Sequence, residues 1–324
     1  MRLIFLGSDP IALPVLDWLA GEGKGIAQVV GVFTGPDRPA GRGQQSRVNA
    51  IKGWAQTQGL PVYQPEKLTE ADRDQVVALA ADLCLVFAYG QILREAFIAA
   101  PRRATLNLHA SLLPHYRGAS PIQSAVAAGE RRTGVSLMKI VRELDAGPVA
   151  DQVEAPIGPL DTAREVEAAV AAACPALLAR TLPRLARGEL VFVEQVHAEA
   201  SFCRRLRKED GRLDWYAPAA ALAARINGLF PWPACAIEVG GQRIKLGLAE
   251  AAEGEGPNSG EVVGQDDGGL LVQAGRGRVR LRRLQREGGR MLPAGDFLRG
   301  FPIPLGTRLA STAMAPLVGP RPLR

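Results

Sequence analysis

The chain is short of the residues that hold metals or build disulfide frameworks. Its 324 residues include three histidines and four cysteines. No two of His109, His115 and His197 stand at a helical metal-ligand spacing, and Cys84, Cys174, Cys203 and Cys235 form no C-x-x-C pair. Reduced thiols and no metal are the expectation. Long apolar runs are also missing. The N-terminal run Leu3-Ile4-Phe5-Leu6 ends in the turn signal Gly7-Ser8-Asp9-Pro10, too short for a signal-peptide core. No stretch approaches the roughly 20 apolar residues of a membrane span. A cytoplasmic protein without a membrane partner is expected. Three catalytic fingerprints are absent too: no G-x-G-x-x-G follows the first apolar run, and neither a G-x-x-x-x-G-K-[ST] loop nor a G-x-S-x-G elbow occurs. This argues against nicotinamide chemistry, a P-loop triphosphatase and an α/β-hydrolase.

What is present describes a globular chain of more than one domain. Hydrophobic residues make up 47% and charged residues 22%, which excludes wholesale disorder. The length suits two domains better than one. Charge is uneven: residues 1–200 carry net −1 and residues 201–324 carry net +7 of the total +6. Chemistry in the first part and polyanion contact in the second is one reading. A merely soluble basic domain is the other.

Hydrophobic patterning predicts strands near 2–6, 28–34, 83–88, 104–109, 133–140 and 149–155. Helices are predicted near 13–20, 49–59, 69–81 and 162–187. Strands alternating with helices imply a Rossmann-like, mostly parallel sheet. The pattern changes after Gly188. A helix near 218–229 precedes five short strands near 234–239, 243–248, 261–263, 269–273 and 278–284, with a polar Gly-rich loop across 249–260. Five strands in that space suggest a small OB-like β-barrel. The domain reading is therefore a catalytic domain over 1–190, a linker over 191–207 and an OB-like domain over 208–324.

The informative segment is Asn107-Leu108-His109-Ala110-Ser111-Leu112-Leu113-Pro114. It closes a predicted parallel strand, where open α/β sheets place their ligands. Strand alternation puts Asn107 and His109 on one side, where an amide and an imidazole can polarise a carbonyl and hold an oxyanion. Asp145, in Glu143-Leu144-Asp145-Ala146-Gly147, offers a carboxylate that can fix the tautomer of His109. Spacing alone equally allows a capping Asn, a surface His and a turn Asp. Downstream, Arg276, Arg278, Arg280 and Arg282 alternate at period two, with Val279 and Leu281 between them. They form either a basic stripe for a phosphate backbone or the charged guard of a sheet edge.

Asn107-x-His109-x-Ser111-Leu112-Leu113-Pro114-x-Tyr116-Arg117-Gly118, followed by Pro121-Ile122-Gln123, closely resembles the signature of the 10-formyltetrahydrofolate-dependent formyltransferases. Leu144-Asp145-x-Gly147 falls where that family has its catalytic Asp. The resemblance implies formyl transfer through Asn107, His109 and Asp145, with 10-formyltetrahydrofolate as co-substrate. It implies folate contacts from Ser111, Leu112, Leu113 and Pro114 and from Phe87, Ala88, Tyr89, Gly90 and Ile92. For Phe87 and Tyr89, plain core packing is the equal alternative.

Resemblance extends over nearly the whole chain. Phe33-Thr34-Gly35-Pro36-Asp37-Arg38 through Arg42-Gly43, Lys208-Glu209-Asp210, Phe230-Pro231-Trp232-Pro233 and Phe297-Leu298-Arg299-Gly300 resemble markers of the branch that formylates initiator methionyl-tRNA. That branch implies tRNA contacts from Arg38, Arg42, Arg278, Arg280 and Arg282, and a monomer. Another amine acceptor, a sugar nucleotide or a purine precursor, is the alternative within the same chemistry. A non-catalytic RNA-binding protein is the alternative outside it.

Overall fold

The computed structural model describes residues 1–40 and 45–323. The chain folds as two compact units. The first comprises Met1–Arg117, Gly134–Ala155 and Ala168–Ala200; the second comprises Gly118–Thr133, Pro156–Glu167 and Ser201–Arg324.

A seven-stranded sheet organises the first unit, in the order Val149–Pro156, Arg132–Lys139, Ala104–His109, Leu83–Val86, Arg2–Leu6, Gln28–Phe33 and Val62–Tyr63. The last five in that order run parallel, and Arg132–Lys139 pairs antiparallel with Ala104–His109. Leu83–Val86 is buried at all four positions. It lies between two parallel neighbours, as its unbroken apolar run requires. The parallel arrangement gathers the C-terminal strand ends at one edge of the sheet. There the amide of Gly7 donates to the Phe33 carbonyl at 3.0 Å and that of Ser8 to the Ala88 carbonyl at 3.1 Å.

Helix starts follow local side-chain chemistry. Asn49 caps Ala50–Thr57 by accepting from the Lys52 amide at 2.9 Å. Thr69 and Asp72 form a reciprocal box at the start of Glu70–Ala78. Each such cap satisfies backbone donors that the first helical turn leaves unpaired, worth about 1 kcal/mol.

Several features were not visible in the sequence. Val62–Tyr63 is a two-residue strand, too short to show a period, held by its register with Val32 and Phe33. Arg38–Ala40 and Gln45–Arg47 pair as a hairpin. Arg42 lies outside the described residues. The expectation that no stretch suits a membrane span needs correction. Ala163–Arg187 is long and apolar enough to cross one by length and composition. Its buried positions, among them Val166, Val170, Cys174, Leu177, Leu178 and Leu182, show a core helix whose apolar content serves packing.

The second unit holds an antiparallel sheet curled into a half-barrel, in the order Ala236–Val239, Gln242–Ala252, Arg278–Arg286, Gly269–Gln273 and Val262–Asp266. All five predicted strands are present. Gln242–Ala252 runs into the segment expected as loop, because Ala249 to Ala252 pair with Leu281 to Arg278. Its register shifts around Gly247, a bulge that bends the long strand. The core is built on fully buried Trp215, with Leu222, Ile226 and Leu229 from helix Ala219–Leu229 and the inward residues Leu246, Val272, Val279 and Leu281. Asn227 ties that helix to the sheet. Its amide donates to the Ala249 carbonyl and accepts from the Ala249 amide, both at 2.9 Å.

Candidate active site

The parallel pairing of Ala104–His109 with Leu83–Val86 sets Asn107 opposite Val86, and the antiparallel pairing sets His109 opposite Ser136. Leu106 and Leu108 bury their side chains, and the alternate positions carry the polar pair. His109 is 6% exposed and its Nε2 lies 2.9 Å from the Tyr116 carbonyl oxygen. A carbonyl oxygen only accepts, so Nε2 carries the proton. The other ring nitrogen, Nδ1, lies 3.7 Å from Asp145 Oδ2. That is beyond a hydrogen bond but within strong electrostatic reach. With Nε2 protonated, a neutral ring turns a lone pair toward the carboxylate and a protonated ring turns an N–H toward it.

Asn107 differs from its neighbour. Among the described residues its side-chain amide has no hydrogen-bond partner, while it remains half-buried at the strand end. It is the polar group of the pair with donor capacity to spare.

Asp145 sits in a turn that its neighbours impose. The Ala146 amide donates to the Glu143 carbonyl at 3.3 Å, and Asp145 has φ +47°. Asp tolerates this left-handed conformation better than most residues. A Cβ on Gly147 would lie 2.0 Å from the Lys139 carbonyl oxygen. Only glycine fits, which explains the Leu-Asp-x-Gly spacing. Gly118 is constrained the same way, with φ +116° and a would-be Cβ 2.0 Å from the Cys203 carbonyl oxygen.

A buried amide completes the site, and sequence reasoning missed it. Gln195 Nε2 donates to the carbonyls of Asp145 at 2.9 Å and Gly147 at 2.7 Å. Its Oε1 accepts from Arg117 Nη2 at 2.7 Å and Nε at 3.1 Å. Arg117 Nη2 also lies 3.2 Å from His197 Nδ1. Burial draws the Arg117 pKa down and the charge of Asp145 opposes it. Gln195 is 50 residues from Asp145 and 78 from Arg117 in sequence. No local pattern could have signalled it.

The expected folate-contacting residues divide sharply. The Ser111 hydroxyl is fully buried and donates to the His115 carbonyl at 2.6 Å. The Ser111 carbonyl accepts from Ser136 Oγ at 2.6 Å, and the same Oγ accepts from the Leu113 amide at 3.0 Å. Gln152 Nε2 adds a bond to the Leu113 carbonyl at 2.9 Å. Ser111 thus shapes the 111–118 turn from within. Leu113 is buried, while Leu112 and Pro114 are half-buried. On the neighbouring strand end Phe87 and Tyr89 are buried, Tyr89 within the core beside Ile4, Phe33 and Phe97. Burial also pushes the Tyr89 phenol pKa up, and among the described residues its hydroxyl has no partner. Ala88 and Gly90 are exposed, and Ile92 is 93% exposed.

Among the described residues no group of three or more His, Cys, Asp or Glu could hold a metal. The four cysteines are buried and unbridged, and burial lifts the Cys84, Cys174 and Cys235 thiols to about 12.

The basic stripe of the second unit is largely paired. Arg280 donates to Asp266, with Nη2–Oδ2 at 2.6 Å, and to Glu250 Oε1 at 2.7 Å. Arg282 reaches the same Glu250 oxygen at 2.8 Å. Arg278 meets Gln273 Oε1 at 3.4 Å and the Glu255 carbonyl at 3.3 Å. Arg38 is exposed.

Residues 1–182 match the family model for formyl transferase, and residues 205–302 match that for the formyl transferase C-terminal domain. The methionyl-tRNA formyltransferase of Sorangium cellulosum (strain So ce56) is 40% identical over 311 residues, covering 94% of this chain and 98% of that protein. That of Ruegeria pomeroyi (strain ATCC 700808 / DSM 15171 / DSS-3) is 39% identical over 310 residues, covering 95% and 100%. Among solved structures, the sugar 3N-formyl transferase WlaRD, crystallised in the presence of dTDP and 5-N-formyl-THF, superposes with a TM-score of 0.66. It is 16% identical and covers 88% of this chain and 97% of that one, a likeness of fold alone. With a matching model across more than half its length and relatives aligned end to end, the chain belongs to the formyl transferase family.

Proposed function

We propose that the protein transfers the formyl group of 10-formyltetrahydrofolate to the α-amino group of initiator methionyl-tRNA. The observation that carries the chemistry is the strand-end cluster: an Asn107 amide with spare donors beside a His109 ring poised between a carbonyl and Asp145. The near-complete alignment with relatives named methionyl-tRNA formyltransferase supports the acceptor.

A free α-amino group has a reference pKa of about 7.7–8.0, so a neutral nucleophilic fraction exists near pH 7. The amine attacks the formyl carbon and negative charge develops on its oxygen. The Asn107 side-chain N–H donates to that oxyanion. His109 helps hold it, Asp145 orients the ring and assists departure of the amine proton, and the tetrahedral intermediate collapses by breaking the bond between the formyl carbon and N10, which takes up the proton as tetrahydrofolate leaves. The exposed wall at Ala88, Gly90 and Ile92, with the turn built by Ser111, Leu112, Leu113 and Pro114, receives the folate. Phe87 and Tyr89 support that wall from behind.

Acceptor RNA contacts Arg38, Arg42 and the second unit. Residues 1–190 carry the chemistry and 208–324 serve RNA binding, in a cytoplasmic monomer. The test is an acceptor comparison with 10-formyltetrahydrofolate: charged initiator tRNA, charged elongator methionine tRNA and a dTDP-linked amino sugar. Preferential formylation of the initiator is expected. Turnover of the amino sugar with no methionyl-tRNA product sinks the acceptor assignment and leaves the chemistry standing.

A further inference from the structure

Residues 87–94, between strand Leu83–Val86 and helix Glu95–Ile98, form no regular element. The wall assigned to the folate lies in this stretch. Ala88 and Gly90 are exposed and Ile92 is 93% exposed, so packing does little to fix them. Ala88 has φ +50°. A residue with a side chain keeps that left-handed conformation only where its neighbours over-determine it. Two residues that the folate reading leaves out hold the segment, Ser8 and Gln91.

Ser8 grips the first half. Its amide donates to the Ala88 carbonyl at 3.1 Å, and its hydroxyl donates to the Tyr89 carbonyl at 3.1 Å. The same hydroxyl accepts from the Gly35 amide at 2.9 Å, so turning it away breaks two bonds. Gly35 is fixed in its turn, because its carbonyl accepts from Asn49 Nδ2 at 2.9 Å and from Gln64 Nε2 at 2.8 Å. Gln91 grips the second half. Its Nε2 donates to the Pro65 carbonyl at 2.9 Å and its Oε1 accepts from the Leu68 amide at 3.2 Å. Both ends of one half-buried amide are thus spent on the 65–68 segment, while Ile92 beside it is left exposed.

We propose that Ser8 and Gln91 are positioning residues for the folate co-substrate. They hold the Ala88–Ile92 wall in its receiving shape before the ligand arrives, so that binding does not also have to order an irregular segment. Each acts through the backbone of the wall. The proposal rests on the folate reading of that wall.

The test combines steady-state kinetics, calorimetric binding of 5-formyltetrahydrofolate, and hydrogen exchange of the 87–94 amides in the unliganded protein. Ser8→Ala and Gln91→Ala are each expected to raise KM for 10-formyltetrahydrofolate, and Kd for the 5-formyl compound, about three- to tenfold. That is the factor that one net hydrogen bond contributes. Saturating kcat and KM for the acceptor stay within about twofold. Exchange across 87–94 quickens in both variants, and saturating 5-formyltetrahydrofolate slows it again. Ser8→Thr, which keeps the hydroxyl, restores the wild-type KM. Gln91→Glu keeps the acceptor for Leu68, loses the donor to Pro65 and falls between. Ile92→Asp, on the exposed wall itself, reports the folate reading separately. If it raises KM for folate while Ser8→Ala and Gln91→Ala keep the wild-type value, the positioning roles are overturned and the wall stands, even if both variants melt early. If none of the three moves KM or Kd, the folate reading of the wall has failed and the proposal falls with it.

Discussion

Two polar clusters, one in each unit, differ in how far their hydrogen-bonding capacity is used. At the strand end of the first unit Asn107 keeps unused donors, and His109 stands between the Tyr116 carbonyl and Asp145. In the second unit Asp210 is 2% exposed and saturated. It accepts from Arg204 Nη1 at 2.8 Å and from the Arg207 amide at 2.6 Å. Saturated groups hold a fold together, whereas groups with spare capacity do chemistry. Substitutions should therefore register in stability in one place and in rate in the other.

The largest effect is expected from Asp210→Asn. Breaking a buried ion pair typically costs about 3–5 kcal/mol, and denaturant melts should show it with kcat little changed below the transition. Burial, the largest single influence, would raise the Asp210 pKa, but the bonds from Arg204 and the Arg207 amide and the charges of Arg204 and Arg225 together outweigh it and hold the carboxyl below its ordinary value. A depressed carboxylate contributes stability above its unfolded pKa of about 3.9 and loses it as pH falls through the folded value. The gap between wild type and variant should be full at pH 7 and shrink below about pH 4. A gap that stays undiminished as pH falls from about 5 toward about 2 would break the saturated-pair account.

Asn107→Ala is the mirror case. One lost oxyanion donor costs about 10²–10³ in kcat, with the melting curve nearly unmoved because the amide has no protein partner to lose. Near-full turnover with both substrates saturating would remove Asn107 from the mechanism.

Gln195→Ala tests the boundary between the two behaviours, since this residue is saturated yet positions Asp145. It should lower kcat about tenfold through misplacement of the carboxylate, leaving KM for folate within about twofold. A variant that melts early but keeps kcat would make Gln195 purely structural. Arg280→Gln should be the smallest effect. Arg280 and Glu250 are about a quarter exposed and Asp266 is 37% exposed, and such pairs contribute about 0.2–1 kcal/mol, less at high salt. The strand of Arg280 lies between Gln242–Ala252 and Gly269–Gln273, so the stripe guards no sheet edge, and a larger loss measured in 0.5 M salt would show that it contributes more than partly exposed ion pairing.

Much of the fold was legible because its strongest signals are local and periodic. The apolar run Leu83–Val86 could only be a strand buried on both faces, and the five strands of the half-barrel each carry their own alternation and turn signals. The misses were short or non-local. Val62–Tyr63 has too few residues for a period, and the extension of Gln242–Ala252 exists because its partner strand offers a ladder there. The apolar content of Ala163–Ala186 describes equally a core helix and a span, and only packing separates them. At the candidate site, alternation put Asn107 and His109 on one face. It could not say that Ser111 turns inward, nor that Phe87 and Tyr89 are buried while Ala88, Gly90 and Ile92 are exposed.

By itself the sequence determined the family, the two kinds of sheet and the residue types available for chemistry. These follow from periodicity, from turn residues and from motifs in which each residue is near the next. Only the tertiary structure decided which polar groups are satisfied. The amide that braces Asp145 comes from residue 195. The carboxylates that neutralise Arg280 come from residues 250 and 266. Ser8 meets Tyr89 only when two strands pair. Pairing is a property of distance in space, and the chain brings such groups together at separations that no local pattern encodes.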